Sequence, residues 1–236
     1  MPKSIADRIA GLNWMGIAAA LDARGSAVTG PILTAKECAE VAALYGEEAA
    51  FRSRVVMARH GFGSGEYKYF ASPLPETIAA LRSSLYPHLA GTANRWQAAT
   101  GGKAYPTRHA DYLKVCHAAG QKKPTPLLLK YEAEDYNCLH QDLYGELAFP
   151  LQATILLSDP ARDFTGGEFL LTEQRPRMQS RGEVVTLGQG EAVLFAVNQR
   201  PVHGKRGVYR VTMRHGVSRL KSGRRFSLGV IFHDAR

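Results

Sequence analysis

Cysteine is scarce and unpatterned in this chain of 236 residues: Cys38, Cys116 and Cys138 are odd in number, widely spaced and without any C-x-x-C. This excludes a disulfide framework and a zinc knuckle, and it points to a reducing compartment. No apolar run approaches the roughly 18 residues that would span a bilayer. The first stretch, "MPKSIADRIAGLNWMG", mixes charges with apolar residues and lacks the apolar core and small-residue cleavage site of a signal peptide. A cytoplasmic protein without membrane contact is the expectation. Internal repeats and low-complexity tracts are missing too, and a hydrophobic content of 45% suits one substantial core rather than a multidomain array.

Acidic residues are in short supply at one end. From Gln174 to Arg236 there are 13 Lys and Arg against three acids, Glu183, Glu191 and Asp234, whereas the first 173 residues carry 17 bases and 18 acids. The whole excess of +9 therefore lies in the C-terminal quarter. A polyanionic partner, nucleic acid first, would explain the concentration, and a solvated basic surface would explain it equally well.

Two textures follow one another along the chain. Up to about residue 122 the spacing predicts helices: "SIADRIAGLNWMGIAAALDARG", ending at Gly25; "LTAKECAEVAALYG", opened by Thr34 and Glu37 in capping-box spacing; "ETIAALRSSLYPHLAGTANRWQ", with a kink or break expected at Pro87; and "TRHADYLKVCHAAG". After "KKPTP" come short runs rich in β-branched and aromatic residues, from "LLLKYEA" and "LQATILLSD" through "EAVLFAV" and "GVYRVTMRHGV" to "RRFSLGVIFHD", punctuated by "DPARDFTGG" and "GQG". One domain spanning 1–236 is expected, mainly β with N-terminal helices (α+β): helical support and a substrate lid over 1–122, and an antiparallel sandwich or jelly roll over 123–236.

Within "DYNCLHQDLYG", His140 and Asp142 stand two apart. If residues 136–142 are extended, these two side chains and that of Cys138 share a face, and a histidine and a carboxylate so placed can begin a divalent-metal site. A second histidine must come from elsewhere, and His203 and His215 are the candidates. His215 has the stronger context, because it follows a strand-like run and Arg225, with Ser227 on the same face, comes ten residues later. A His/Asp/His set leaves coordination positions open, as non-haem Fe(II) oxygenases require, and an arginine beside a hydroxyl is shaped to receive a carboxylate.

These motifs, in this order and spacing, resemble the Fe(II)/2-oxoglutarate-dependent dioxygenases, which are built on a double-stranded β-helix. The resemblance runs over roughly residues 126–234: "LKYEAEDYNCLHQD" is similar to the tyrosine-bearing strand leading into H-x-D, "ILLSDPARDFTGGEFLL" to the strand, turn and Gly-Gly-Glu hairpin that follow, "GQGEAVLF" to the strand before the distal histidine, and "RHGVSRLKSGRRFSLGVIF" to the ending of prolyl-hydroxylase-like members. It implies that His140, Asp142 and His215 hold the iron, that Arg225 and Ser227 bind the distal carboxylate of 2-oxoglutarate, and that Tyr131 lines the co-substrate pocket. It also implies Fe(II), 2-oxoglutarate and O2 as the reaction's partners, with succinate and carbon dioxide released. The connection "AVNQRPVHGKRGVYRVTM" is longer than usual and keeps His203 as a competitor to His215.

The pattern further resembles a bacterial subfamily described as removing alkyl groups oxidatively from damaged nucleic acid. In "FRSRVVMARHGFGSGEYKYF", Arg52, Arg54, Arg59, His60 and Lys68 alternate with Phe62, Tyr67, Tyr69 and Phe70, a composition able to follow phosphates and stack on a base outside its helix; an ordinary hairpin would look the same. Against nucleic acid, the R-x-N-x-T-x-R signature of alkylated-DNA repair dioxygenases is absent, and the ending looks more like the protein-hydroxylase branch. Protein side chains or small metabolites are thus the alternative substrates. Cys138 is expected to be a small buried hydrophobe, Trp14 and Trp96 core residues, Glu168 a hairpin residue outside the site, and His60, His88, His109, His117 and His233 lack partner spacing.

Overall fold

The computed structural model describes residues 3–205 and 207–236. Its helices are α1 (Ile5–Ala10), α2 (Trp14–Arg24), α3 (Ala35–Ala43), α4 (Glu76–Thr100) and α5 (His109–Ala118). Its strands are β1 (Ser26–Val28), β2 (Phe51–Val56), β3 (Gly63–Ser64), β4 (Glu66–Phe70), β5 (Leu127–Glu132), β6 (Tyr136–His140), β7 (Leu151–Leu156), β8 (Phe164–Gly166), β9 (Phe169–Gln174), β10 (Arg181–Val185), β11 (Ala192–Ala196), β12 (Gln199–Gly204), β13 (Gly207–Val217) and β14 (Leu220–Val230). They form an eight-stranded sheet in the order β1-β11-β7-β14-β5-β4-β2, with β8 on β14, and a six-stranded sheet in the order β10-β9-β13-β6-β3, with β12 on β13. The pairings are antiparallel throughout. This is the predicted jelly roll with helices.

Alternation along the central strands explains how three layers share one sheet. Leu151, Ala153 and Ile155 of β7, Leu194 of β11 and Leu228 and Val230 of β14 pack with α1–α5 in one large core. Their neighbours Leu156, Val193 and Phe195 pack instead with Phe169, Leu171 and Val217 of the opposing sheet. A strand buried on both faces must be largely apolar, as β11 is at every position and β7 is apart from Gln152 and Thr154. Each such leucine or phenylalanine contributes about 1.5–3 kcal/mol by leaving water.

The N-terminal expectations need three adjustments. "SIADRIAGLNWMGIAAALDARG" folds as two helices: Gly11 caps α1, and Asn13 opens α2 by accepting from the Gly16 N–H at 3.0 Å. Thr34 and Glu37 do form the capping box at the start of α3. Pro87 does not break α4, which runs on across it to Thr100. Losing one backbone bond costs about 3 kcal/mol, and the burial of Leu85, Tyr86, Leu89 and Ala90 on the inward face offsets that. The segment before residue 123 also supplies β1 to one end of the larger sheet and the β2–β4 ribbon to the other, so it builds sheet as well as helical support. Among the described residues no helix is long and apolar enough to cross a membrane.

A buried ionic cluster ties α4 to the C-terminus. Arg82 donates to Asp234 at 2.7 Å and to the Ile231 and His233 carbonyls, while His117 faces the other Asp234 oxygen at 2.7 Å. Two imidazoles beside it, His109 and His233, are depressed to about 4, first by burial and then by the Arg82 charge. In the unfolded chain they protonate near 6.5, so between the two values the unfolded state holds more protons. Stability is complete above about pH 6.5 and falls as the pH drops toward 4, by up to roughly 3 kcal/mol per histidine. Thermal unfolding followed from pH 7.5 to 4.5 should show a falling midpoint, and His109→Gln should make that fall shallower.

Candidate metal centre

Strand β6 lies beside β13 with His140 directly opposite His215, their ring centroids 4.2 Å apart. Close approach at this point depends on Gly216, where a Cβ would sit 2.6 Å from the Asn137 carbonyl oxygen. The strand ends at His140, and Asp142 follows just beyond it rather than within it, which turns its carboxylate between the imidazoles: Oδ1 is 3.6 Å from His140 Nε2 and Oδ2 is 3.3 Å from His215 Nε2. One ligand atom from each of the three residues lies within 4.8 Å of the others. This is the predicted set, and it could hold a metal ion.

Hydrogen bonding prepares these groups. A carbonyl can only accept, so His140 Nδ1, 2.8 Å from the Cys138 oxygen, carries a proton, and the ring is held with Nε2 toward Asp142. His215 is buried, stacked 5.9 Å from Phe169 and 4.7 Å from Phe195, and its Nδ1 has no partner among the described residues. Burial pushes His215 down, so it is neutral. Burial would push the Asp142 carboxyl up, yet the two histidines outweigh it and hold Asp142 well below the usual carboxylate range. Burial would push His140 down, yet its hydrogen bond to Asp142 and that carboxylate's charge outweigh it and raise it. The result is a buried anion flanked by two imidazoles, a donor set suited to a cation.

Two residues that the sequence reading passed over complete the support. Tyr144 donates to Asp142 Oδ1 at 2.7 Å and Gln152 donates to Oδ2 at 2.8 Å. Gln152 carried a signal, since it is a buried amide in a strand whose six residues are all buried. Tyr144 carried none beyond its nearness to Asp142.

The centre opens into a cavity of about 300 Å³ lined also by Tyr131, Ser227, Gln152, Tyr67 and Phe169, with Phe62 near its mouth. Arg225 stands behind this cavity's wall. Its Nη1 donates to Ser227 Oγ at 3.1 Å, its guanidinium lies 5.6 Å from the Tyr131 ring centroid, and the side chain itself lines an adjoining space of about 200 Å³ shared with Phe164, Gly167 and Phe169. It is 2% exposed, its Nε has no partner, and no carboxylate pairs with it among the described residues. Glu168, which lines the same adjoining space, acts on it only by charge and not by contact, and a buried guanidinium without a contacting anion is costly.

Other expectations resolve plainly. His203 is exposed on β12, opposite Val208, and takes no part in the cluster. Cys138 is exposed at the cavity rim rather than buried, because β6 lies toward the open side of its sheet with only the short β3 beyond it. Trp96 is core and Trp14 packs against it. Glu168 bonds Ser218 away from the centre.

Residues 65–235 match a family described as "Oxygenase, catalysing oxidative methylation of damaged DNA". The chain belongs to that oxygenase family. It is therefore an oxidoreductase. Rv2227 of Mycobacterium tuberculosis is 52% identical to this oxygenase over 167 residues, which are 70% of this chain and 72% of that one. In fold, the oxygenase is similar to an oxidoreductase of the 2OG-Fe(II) oxygenase family from Burkholderia pseudomallei (TM-score 0.56, 16% identity, 94% of this chain and 92% of that one). It is similar as well to a prolyl hydroxylase from Trichoplax adhaerens (TM-score 0.57, 12% identity, 94% and 89%).

Calorimetric titration with Mn(II) should find one site in the wild type and none in Asp142→Ala or His215→Ala. His203→Ala should titrate like the wild type; loss of binding there with retention in His215→Ala would overturn the choice of third ligand.

Proposed function

We propose that this oxygenase uses Fe(II) and 2-oxoglutarate to remove alkyl groups from damaged nucleic acid. The observation that carries the cofactor half is the pairing of the His140/Asp142/His215 cluster with a buried Arg225, one wall away, that has no ion-pair contact among the described residues. When bound, iron, 2-oxoglutarate and dioxygen supply the oxidation of an unactivated C–H bond, with succinate and carbon dioxide as products. The chain's own residues bind and orient. His140, Asp142 and His215 provide three ligands. Arg225 and Ser227 provide the charge and the hydroxyl for the distal carboxylate, and Tyr131 shapes the wall between them. Phe169 and Leu129 keep the cavity apolar, so water is displaced when it fills.

The nucleic-acid half is supported by the family's description and by the loop at the cavity mouth. Phe62 lines the mouth and stacks on His60 at 5.3 Å, and Arg59 beside it is exposed, a small aromatic and basic platform for a base and its phosphate. The rest of the segment is an ordinary hairpin. Arg54 pairs with Glu66, Lys68 is buried against Glu48 and the Tyr45 carbonyl, and Arg52 lies 4.5 Å from the Tyr69 ring. A second reading, hydroxylation of a protein side chain or a metabolite, is favoured by the exposed apolar residues Leu139 and Leu143 around the same mouth and by the fold shared with a prolyl hydroxylase.

Two measurements test the halves separately. Under nitrogen, Fe(II) and 2-oxoglutarate added together should give a charge-transfer absorption band that neither gives alone, and Arg225→Ala should raise the 2-oxoglutarate requirement roughly 30- to 150-fold, the equivalent of about 2–3 kcal/mol for a lost charge-assisted contact. Formaldehyde should be released from methylated oligonucleotides; succinate formation only with peptides or metabolites would assign the enzyme to the second reading.

A further inference from the structure

The outer face of the smaller sheet carries a charge pattern that the metal centre does not use. On β13, Arg210, Thr212 and Arg214 alternate with Val211, Met213 and His215, so the three buried side chains point into the molecule and the three polar ones away from it. Register extends the outward row sideways: Thr212 lies between Gln199 of β12 and Gln174 of β9, and Arg214 lies opposite Thr172. Among the described residues, the two acids in the strands of this sheet fall on its other side. Glu173 is buried against Arg200, and Glu183 stands opposite Leu171, which belongs to the inner core. Arg214 has no hydrogen-bond or ion-pair partner among the described residues, and Arg210 has one long contact, 3.3 Å to the Thr100 carbonyl. Four residues apart on an extended strand, the two arginines are separated by about 14 Å, too far to share one small anion. The turns beyond them add Arg177 and Lys205, both exposed.

Composition and position together name the occupant. A protein interface gathers apolar side chains at its middle and charges at its rim. Here cations, hydroxyls and amides hold the middle, and the exposed Val184 on β10 and Val208 near the β12–β13 turn stand at the margins. The row also leads to the centre, since Arg214 precedes His215, and Gly216, next in the outward row, lines the cavity together with the exposed Leu139 of β6. We infer that the outer face of the smaller sheet is a track for the phosphate backbone of a nucleic-acid strand, with Arg210 and Arg214 meeting separate phosphates beside the nucleotide that enters the cavity. The inference rests on the nucleic-acid reading given above and extends it from the cavity to the flanking chain. Contacts of this type hold a strand in place without reading its sequence, and they weaken as salt rises.

Binding, which needs no turnover, provides the test. Labelled single-stranded oligonucleotides are titrated by fluorescence anisotropy over a series of KCl concentrations against the wild type, the double variant Arg210→Gln with Arg214→Gln, and a control double variant, Lys36→Gln with Lys114→Gln, which removes the same charge from exposed positions on α3 and α5. Each lost phosphate contact on a single strand flattens the plot of log K against log salt by about 0.7. The arginine pair should therefore give a slope about 1.4 shallower than the wild type, Arg210→Gln alone about 0.7 shallower, and the lysine pair the wild-type slope. Mn(II) titration should be unchanged in all of them, because the two arginines face away from the metal centre. A wild-type slope in the arginine pair, or equal flattening in both double variants, overturns the inference and leaves the nucleic-acid reading standing. Polyglutamate that binds the wild type as tightly as the oligonucleotides, and loses affinity in the arginine pair, assigns the face to an acidic protein and overturns the inference as well. Failure of the wild type to bind any oligonucleotide overturns both.

Discussion

The antiparallel register of β6 on β13 is the constraint on which the centre depends. His140 and His215 face each other only because these strands pair at that position, and they approach closely because Gly216 offers no side chain to the β6 backbone. A slip of one residue between them would leave the two imidazoles on opposite faces of the sheet. Register here is secured by further pairing: β13 is also zipped to β9 over Thr212–Val217 and to β12 over Gly207–Thr212. The long hairpin that made His203 look like a rival ligand therefore serves to anchor the strand that carries His215.

Asp142 turns this geometry into chemistry. Buried carboxylates ordinarily gain a proton, because burial disfavours the charged form. Here four groups oppose that tendency: the two histidines with Tyr144 and Gln152. The arrangement resembles a coordination sphere before its ion, with the anion already formed and the ring of His140 already held through Nδ1 so that Nε2 faces it. Little reorganisation remains for a metal to bring about.

Much of this was legible in the sequence, and the misses have physical reasons. His140, Asp142, His215, Arg225, Ser227 and Tyr131 stand together because alternation along strands and an H-x-D spacing are local rules that tertiary structure here obeys. Asp142 itself escapes the strand, a boundary error of two residues that happens to improve the geometry. Pro87 misled because propensity is a small term beside the burial of a 25-residue helix on a large core. Cys138 misled because residue type predicts burial only on average, and its strand lies near a sheet's open side. Gln152 went unnoticed because periodicity arguments discount scattered polar residues in an apolar run, although a buried amide there is the one that needs explaining.

The charge asymmetry shows how sequence and space can part company. Thirteen bases gathered in the last quarter suggested a basic face. In the folded chain Glu173 draws in Arg175, Arg181 and Arg200, while Glu134, Glu132 and Glu146 pair with Arg219, Arg224 and Arg236. Arg225 is spent inside the barrel. The acids of the first 173 residues thus meet the bases of the last sixty across the sheets, and the exposed cations left without an ion pair among the described residues include Arg177, Lys205, Arg210, Arg214 and Lys221. Exposed ion pairs are weak enough to be exchanged for phosphate contacts, since each is worth about 0–1 kcal/mol in water. Attraction for a polyanion can accordingly come from these five and from rearranged pairs, but it would be salt-sensitive and indifferent to sequence. Selectivity has to arise where water is excluded, at the mouth framed by Phe62 and in the cavity behind it.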